Sequence, residues 1–404
     1  MRLAIELGET RLGTLEGDAR TFDFVPFPGA IDRFGVNSPA LSVSIPLAPS
    51  PRRDHAGRRR NWFAELLPEG DQYEHLLTLA GLRRGDTPSF LARYGRDVAG
   101  ALQIWDLDDP TEPLIPSLRA VTDQEVRTLL EDPIRSPLAN DTVLGRSSLG
   151  GVQPKIVLVA TPTGWAQSLG GYPTTHLLKP QLPGANASVI YDEEYGSRIA
   201  SSLGLAEFAT SIHDFAGLPA LVVERFDRED GRRLHQEDFN QVLGASGNEK
   251  YQEMGGVVSL RRIADALYRH ATRRDLERLG RMVTLAVAIG NTDMHAKNLG
   301  LLHLDDGVRL APAYDFVPQA HLTIDGRMAL AVNGRYRPAE LTREDLAAEL
   351  GGWGLRAAAD LVDETLEEAA VAIGRETPVA GAFTGLQESL AVATDRLRSG
   401  AARR

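Results

Sequence analysis

Between residues 276 and 304 the chain is more tightly committed than anywhere else. Leu276, Leu279, Val283 and Val287 recur on one helical face, and Gly290 stops that helix. The polar octapeptide Asn291-Thr292-Asp293-Met294-His295-Ala296-Lys297-Asn298 follows at once and runs into the apolar stretch Leu299 to Leu304. A loop gripped at both ends by buried elements holds its polar side chains in fixed places. Such a loop is where chemistry is built.

Asp293 and, five residues on, Asn298 have the spacing of the protein-kinase catalytic loop. There the aspartate orients the attacking hydroxyl and takes its proton, and the asparagine binds Mg²⁺. Seventeen residues after Asn298 comes Asp315, in Ala313-Tyr314-Asp315-Phe316. A second carboxylate after a short hairpin suits a metal ligand, because magnesium takes oxygen donors and keeps room for phosphates. Taken alone, the Asp-to-Asn spacing also fits a turn that caps a helix. A metal-dependent hydrolase built on Asp293, His295 and Asp315 is a weaker reading, since the histidines show no zinc-ligand spacing.

A phosphoryl-transfer enzyme also needs a phosphate-covering loop and a nearby lysine. Ser147 to Lys155 contains Gly150 and Gly151, followed by Val152 and Gln153, and leads into the apolar strand Ile156 to Val159. Paired glycines let backbone N–H groups approach phosphate oxygens, although a plain glycine turn reads the same way. Thr175 to Pro180 is a short strand carrying Lys179, which reads either as a phosphate contact paired with Glu193 or as an exposed strand-end lysine. Leu221 to Arg228 runs from an apolar strand into Glu224 and Phe226, a pattern that suits a hinge reading adenine. Of 44 basic residues only Lys155, Lys179, Lys250 and Lys297 are lysine. Three of these lie in the motifs above, as expected where a compact point charge is required.

Residues 1 to about 105 alternate apolar runs with turns. Leu3 to Ile5, Thr21 to Val25 and Leu41 to Ile45 read as strands, and Asn61 to Leu67 and Glu74 to Leu82 as helices. Asp106 to Pro113 reads as a connector, and Thr122 with Glu125 as a capping box. A strand-rich stretch with one helix near Glu193 to Leu203 gives way to mainly helical sequence beyond about 237. The expected architecture is α+β and two-lobed, protein-kinase-like, with divisions at 1–110, 111–228 and 229–404.

The net charge of −11 argues against a chain that holds nucleic acid by its own basic surface. The arginines at 52, 53 and 58–60 read as a solvated loop or as a phosphate patch. No cysteine is present, which excludes disulfides and thiolate metal sites. Glu6 stands where a signal peptide keeps its apolar core, and no run approaches the roughly 18 apolar residues of a membrane span. A cytoplasmic protein without membrane contact is expected.

Taken together the segments resemble the HipA family, the kinase toxins of bacterial type II toxin–antitoxin modules. The resemblance is carried by Ala64 to Glu69, Tyr94 to Leu102, Gly150 to Lys155, Thr175 to Lys179, Val223 to Arg228, His235 to Phe239, Asn291 to Asn298 and Tyr314-Asp315. It implies Asp293 as the catalytic aspartate with Lys297 beside it, and Asn298 and Asp315 as Mg²⁺ ligands. It implies Lys179 as the ATP-phosphate lysine and Glu224 and Phe226 as the hinge that holds adenine; the loop of Gly150, Gly151, Val152, Gln153 and Lys155, Glu193 as partner of Lys179, and His295 are the further ATP contacts expected. Ser148, with Ser147 beside it, falls at the family's autophosphorylated serine. The resemblance further implies a small DNA-binding antitoxin of the HipB type as partner, DNA reached only through it, and a protein substrate of the aminoacyl-tRNA synthetase type. Asp315-Phe316 lacks the glycine that follows this pair in ordinary protein kinases. Two rivals remain: a kinase acting on a lipid or small-molecule alcohol, and an idle kinase fold serving as regulatory partner of a DNA-binding protein.

Overall fold

The computed structural model describes residues 1–134, 137–140, 145–150, 153–322 and 326–400. The chain divides into two compact units. The first comprises Met1–Pro180, His213–Glu237 and Gly244–Ser246, and the second Gln181–Ile212, Asp238–Leu243 and Gly247–Arg404.

The first unit holds two large sheets and the short ribbon Arg228–Glu229/Arg232–Arg233. One is antiparallel with strand order β3-β2-β1-β4, from β1 (Arg2–Leu7), β2 (Thr10–Glu16), β3 (Asp23–Pro26) and β4 (Leu102–Asp106). Leu3, Ile5, Leu12, Leu15 and Phe24 bury one face of it against Trp62, Phe63 and Phe90 from the helices Ala56–Ala64 and Thr87–Tyr94. The alternation of apolar residues in these strands is what lets one face go dry. The other sheet has six strands in the order β5-β7-β6-β8-β10-β9. These are β5 (Ser117–Val121), β6 (Ile156–Thr161), β7 (Gly164–Leu169), β8 (His176–Pro180), β9 (Thr210–Phe215) and β10 (Leu218–Glu224). Central β6 is buried on both faces: Ile156 and Leu158 join Leu178, Ala220 and Val222, while Val157 meets Leu138 and Leu149 on the other side. The helix Asp123–Glu131 opens with the capping box expected of Thr122 and Glu125.

Leu41–Ile45 is not a strand. Only Ser42 and Ile45 bridge, in a tight turn. Glu237 explains this, accepting the Ser42 hydroxyl at 2.5 Å, the Val43 N–H at 2.9 Å and the Trp62 indole N–H at 2.9 Å. A buried carboxylate with three donors outweighs a strand propensity spread over five residues. A helix at Pro28–Phe34 was not expected, and the two helices expected at 61–67 and 74–82 sit earlier, at Ala56–Ala64 and Gly70–Ala80. Within the arginine cluster, Arg59 is buried and grips Asp23 through two bonds of 2.6 and 2.7 Å, so it serves packing.

The second unit is mainly helical. Arg273–Ile289 runs through its centre and packs against Leu260–His270, Ala358–Arg375 and Leu386–Ser399. Leu276, Leu279, Val283 and Val287 are all buried, as their spacing requires. Asp275 completes a capping box with Thr272, and its Oδ1 accepts the Leu310 N–H at 2.9 Å. That bond ties the helix start to the hairpin Gly300–Leu304/Gly307–Leu310, fixing both elements that flank the polar loop. Among the described residues no helix is long and apolar enough to cross a membrane.

Candidate active site

The helix Arg273–Ile289 ends on Gly290 at φ 68°, a left-handed position that glycine adopts without penalty. A β-carbon there would lie 2.7 Å from the Ala320 backbone nitrogen, so glycine is required twice over. The chain then turns out of the helix, with the Asn291 N–H returning to the Ala286 carbonyl at 2.8 Å. Met294 and Ala296 are buried and pin the loop from below, while Asp293 is exposed above.

The loop is wired through the backbone of Asp293. Its carbonyl accepts the His295 N–H at 2.7 Å and the Asn298 side-chain Nδ2–H at 2.9 Å. Its own N–H donates to Asn291 Oδ1 at 3.2 Å. With Nδ2 committed, the oxygen of the Asn298 amide is the end suited to a hard cation. Tyr251, which the sequence did not single out, donates its phenol to Asp293 Oδ1 at 3.3 Å and stands edge-on to His295.

Asp315 lies in the same unit. The Tyr314 hydroxyl donates to the Lys297 carbonyl at 2.7 Å, fastening the segment of Asp315 to the polar loop. Asp315 is half-buried at φ 58°, in the left-handed region. Aspartate tolerates that conformation better than most residues, and strain of this kind gathers at functional positions. Close packing holds it: a β-carbon on Gly196, in the helix Val189–Ser202, would lie 2.1 Å from the Phe316 carbonyl oxygen. We expect Gly196→Ala to push the Asp315 segment off its seat, at about 1–3 kcal/mol of overpacking. A urea midpoint and a Mg²⁺ titration of activity would check this, and unchanged values in both would refute it. Glu193 is buried on that helix.

In the first unit Ser147 and Ser148 are buried. The Ser148 hydroxyl donates to the Leu66 carbonyl at 2.8 Å, and its N–H to the Asp97 carbonyl at 2.9 Å. The Ser147 hydroxyl points to Asp97 Oδ2 at 3.3 Å. Leu149 packs on Val157 of β6, and Lys155 donates from Nζ to the Gly150 carbonyl at 3.0 Å, bracing the loop. Gly151 and Val152 lie outside the described residues. Lys179 is only 7% exposed, on β8 opposite Leu221 of β10. Glu224, the last residue of β10, is exposed and Phe226 half-buried.

Asp97 binds this loop to the segment 225–228. The Arg225 guanidinium holds Asp227 at 2.9 and 2.7 Å, and Arg228 donates to Asp97 Oδ1 at 2.9 Å. Thr174 donates to Asp97 Oδ2 at 2.7 Å, and the Gly100 N–H to Asp227 at 2.7 Å. Burial pushes both carboxyls up, but the arginines outweigh it and hold them well below the usual carboxylate range. Arg228 is drawn down to about 10 by burial and by its neighbour Arg225.

Taken unit by unit, the side chains fit a phosphate oxygen in the first and a magnesium ion in the second. The buried Gln153 Nε2 has no hydrogen-bond partner among the described residues, a donor waiting for an oxygen acceptor. Asn298 offers one amide oxygen and Asp315 one carboxylate, the hard oxygen donors that Mg²⁺ takes beside phosphates.

Comparison with known proteins gives the family. Residues 3–105 match the HipA N-terminal domain and residues 147–373 the HipA-like C-terminal domain. The chain belongs to the HipA family. By class it is therefore a serine/threonine-protein kinase. It is 34% identical over 358 residues to "Putative kinase Y4mE" of Sinorhizobium fredii, covering 83% of each chain. To the serine/threonine-protein kinase toxin HipA of Shewanella oneidensis it is 27% identical over 383 residues, covering 88% of this chain and 84% of that one. The HipA fold is also that of the Shewanella oneidensis MR-1 toxin–antitoxin complex of HipA, HipB and operator DNA. That match has a TM-score of 0.80 at 25% identity, covering 98% of this chain and 99% of the other. The α+β, two-lobed kinase architecture expected from the sequence is thus the observed one.

Proposed function

We propose that this HipA-family chain is an ATP- and Mg²⁺-dependent kinase acting on a protein serine or threonine, as the toxin of a toxin–antitoxin module. The observation that carries the reading is the loop Asn291–Asn298, where Asn298 grips the Asp293 carbonyl and Asp293 stands exposed. Asp293 positions the acceptor hydroxyl and takes its proton while that oxygen attacks the γ-phosphorus and the bond to ADP breaks. Asn298 and Asp315 hold Mg²⁺, which when bound neutralises charge on the phosphoryl oxygens. Lys297 and His295 contribute charge and contacts beside that group. In the first unit, Gly150, Gly151, Val152, Gln153, Lys155 and Lys179 contact the phosphates, and Glu224 and Phe226 the adenine. Glu193 is the acid assigned to Lys179. The divisions 1–110, 111–228 and 229–404 are the functional parts we assign.

Ser148, or Ser147 beside it, accepts phosphate from the kinase itself. Both hydroxyls are buried, so the loop must leave its seat on Leu66 and Asp97 to be phosphorylated, and a doubly charged phosphate cannot return there. A small HipB-type DNA-binding antitoxin is the assigned partner, with an aminoacyl-tRNA synthetase as the class of substrate, in a cytoplasmic setting. The test is γ-phosphate transfer from labelled ATP with Mg²⁺, to a protein acceptor and, separately, to phospholipid vesicles. Label on protein that disappears on chelating Mg²⁺ is the expected result. Label only on lipid, or ATP binding without any transfer, would sink the proposal.

A further inference from the structure

We infer that Tyr251 is a positioning residue for Asp293, holding the carboxylate in the orientation that receives the acceptor hydroxyl. The inference rests on the kinase reading above and adds a residue to it. Tyr251 reaches Asp293 because the backbone brings it there. Gln252 donates its N–H to the Ala329 carbonyl at 2.9 Å, and Ala329 donates its own to the Thr292 carbonyl at 2.8 Å. Ala331 closes the stitch with an N–H to Gln252 Oε1 at 2.9 Å. Tyr251 itself sits in a tight turn, its N–H on the Asn248 carbonyl at 3.1 Å and its carbonyl accepting Met254 N–H at 2.9 Å.

The ring is held as firmly as the backbone. It meets His295 edge-on, with centroids 5.4 Å apart and planes at 78°, and the Lys250 ammonium stands 5.4 Å from its centroid on another side. A rigid ring with one rotatable hydroxyl makes a good stop for a carboxylate. Asp293 is exposed, and transfer requires its accepting oxygen within hydrogen-bond reach of the incoming hydroxyl. The 3.3 Å contact to Oδ1 is longer than the usual O–H···O bond. Contacts of this kind tighten once the reacting groups are in place.

The experiment compares full-length wild type, Tyr251→Phe and Tyr251→Ala for kcat, KM for ATP and thermal midpoint. Removing the hydroxyl alone should lower kcat about five- to tenfold, a loss suited to one long hydrogen bond to a charged group. KM for ATP should stay within about twofold, because the contact is to the base and not to the nucleotide. Tyr251→Ala should lose the same factor in kcat. If Tyr251→Phe turns over like wild type, whatever Tyr251→Ala does, the hydroxyl has no positioning role and the inference is overturned. A rise in KM with kcat kept would overturn it too, since the residue would then serve ATP binding. Wild type without any transfer would instead bring down the kinase reading, and this inference with it.

Discussion

Asp293→Asn should fold, bind ATP with Mg²⁺ and transfer phosphate about 10²–10⁴ times more slowly than wild type, the range for losing a positioned general base. The substitution keeps the size of the side chain. It also keeps what shapes the loop, because the bonds from His295 and Asn298 end on the backbone carbonyl of Asp293 and not on its carboxylate. What disappears is the acceptor for the hydroxyl proton. Stopped assays of label transfer give the rate, and calorimetry with ATP and Mg²⁺ gives binding. A rate near wild type would place the base elsewhere. Lost ATP binding would mean that the carboxylate shapes the nucleotide site rather than the transfer step.

Asp97→Ala should be the most destabilising single change in the first unit. The side chain is fully buried and takes hydrogen bonds from Arg228, Thr174 and Ser147, with Arg225 and Arg233 close by. Its removal leaves buried guanidinium groups short of an anion, at about 3–5 kcal/mol. Against a total stability of roughly 5–15 kcal/mol, that loss threatens folding itself. Urea unfolding of both proteins measures it, and a shift worth under about 1 kcal/mol would contradict the role given to the network. The pH dependence has a definite sign. Asp97 and Asp227 have folded pKa values below their unfolded ones, so their contribution is complete above about pH 4 and fades as pH falls through the folded values. The gap between wild type and Asp97→Ala should therefore narrow in strong acid.

The same network shows what the sequence could and could not disclose. Local spacing announced the polar loop, the helix stop at Gly290, the strands β6, β8 and β10, and the capping box at Thr122, because those features depend on neighbours in the chain. The segment Tyr94 to Leu102 stood out only as family likeness, and Val223 to Arg228 only as the end of a strand running into a polar, aromatic-bearing stretch. Their physical reason is that they bind each other, Arg228 to Asp97 across 131 residues and Gly100 to Asp227 across 127. Nothing in a linear pattern reports such a partner. The strand expected at Leu41–Ile45 failed for the same cause, since Glu237 lies 195 residues from Ser42. Tyr251 carries no motif, and only the fold sets it beside Asp293, 42 residues away.

The burial of Ser147 and Ser148 gives a physical meaning to a phosphate-loop serine. In the described arrangement both hydroxyls are buried and committed, Ser148 to the Leu66 carbonyl and Ser147 to Asp97. Phosphorylation there would report that the loop had left its seat, and would keep it out by charge and bulk. The most direct test of the account is phosphosite mapping by mass spectrometry on purified wild type and Asp293→Asn, each incubated with ATP and Mg²⁺. Phosphoserine at Ser147 or Ser148 in wild type alone is the predicted result. Equal phosphate in both proteins, or none in either while ATP is bound, would contradict it.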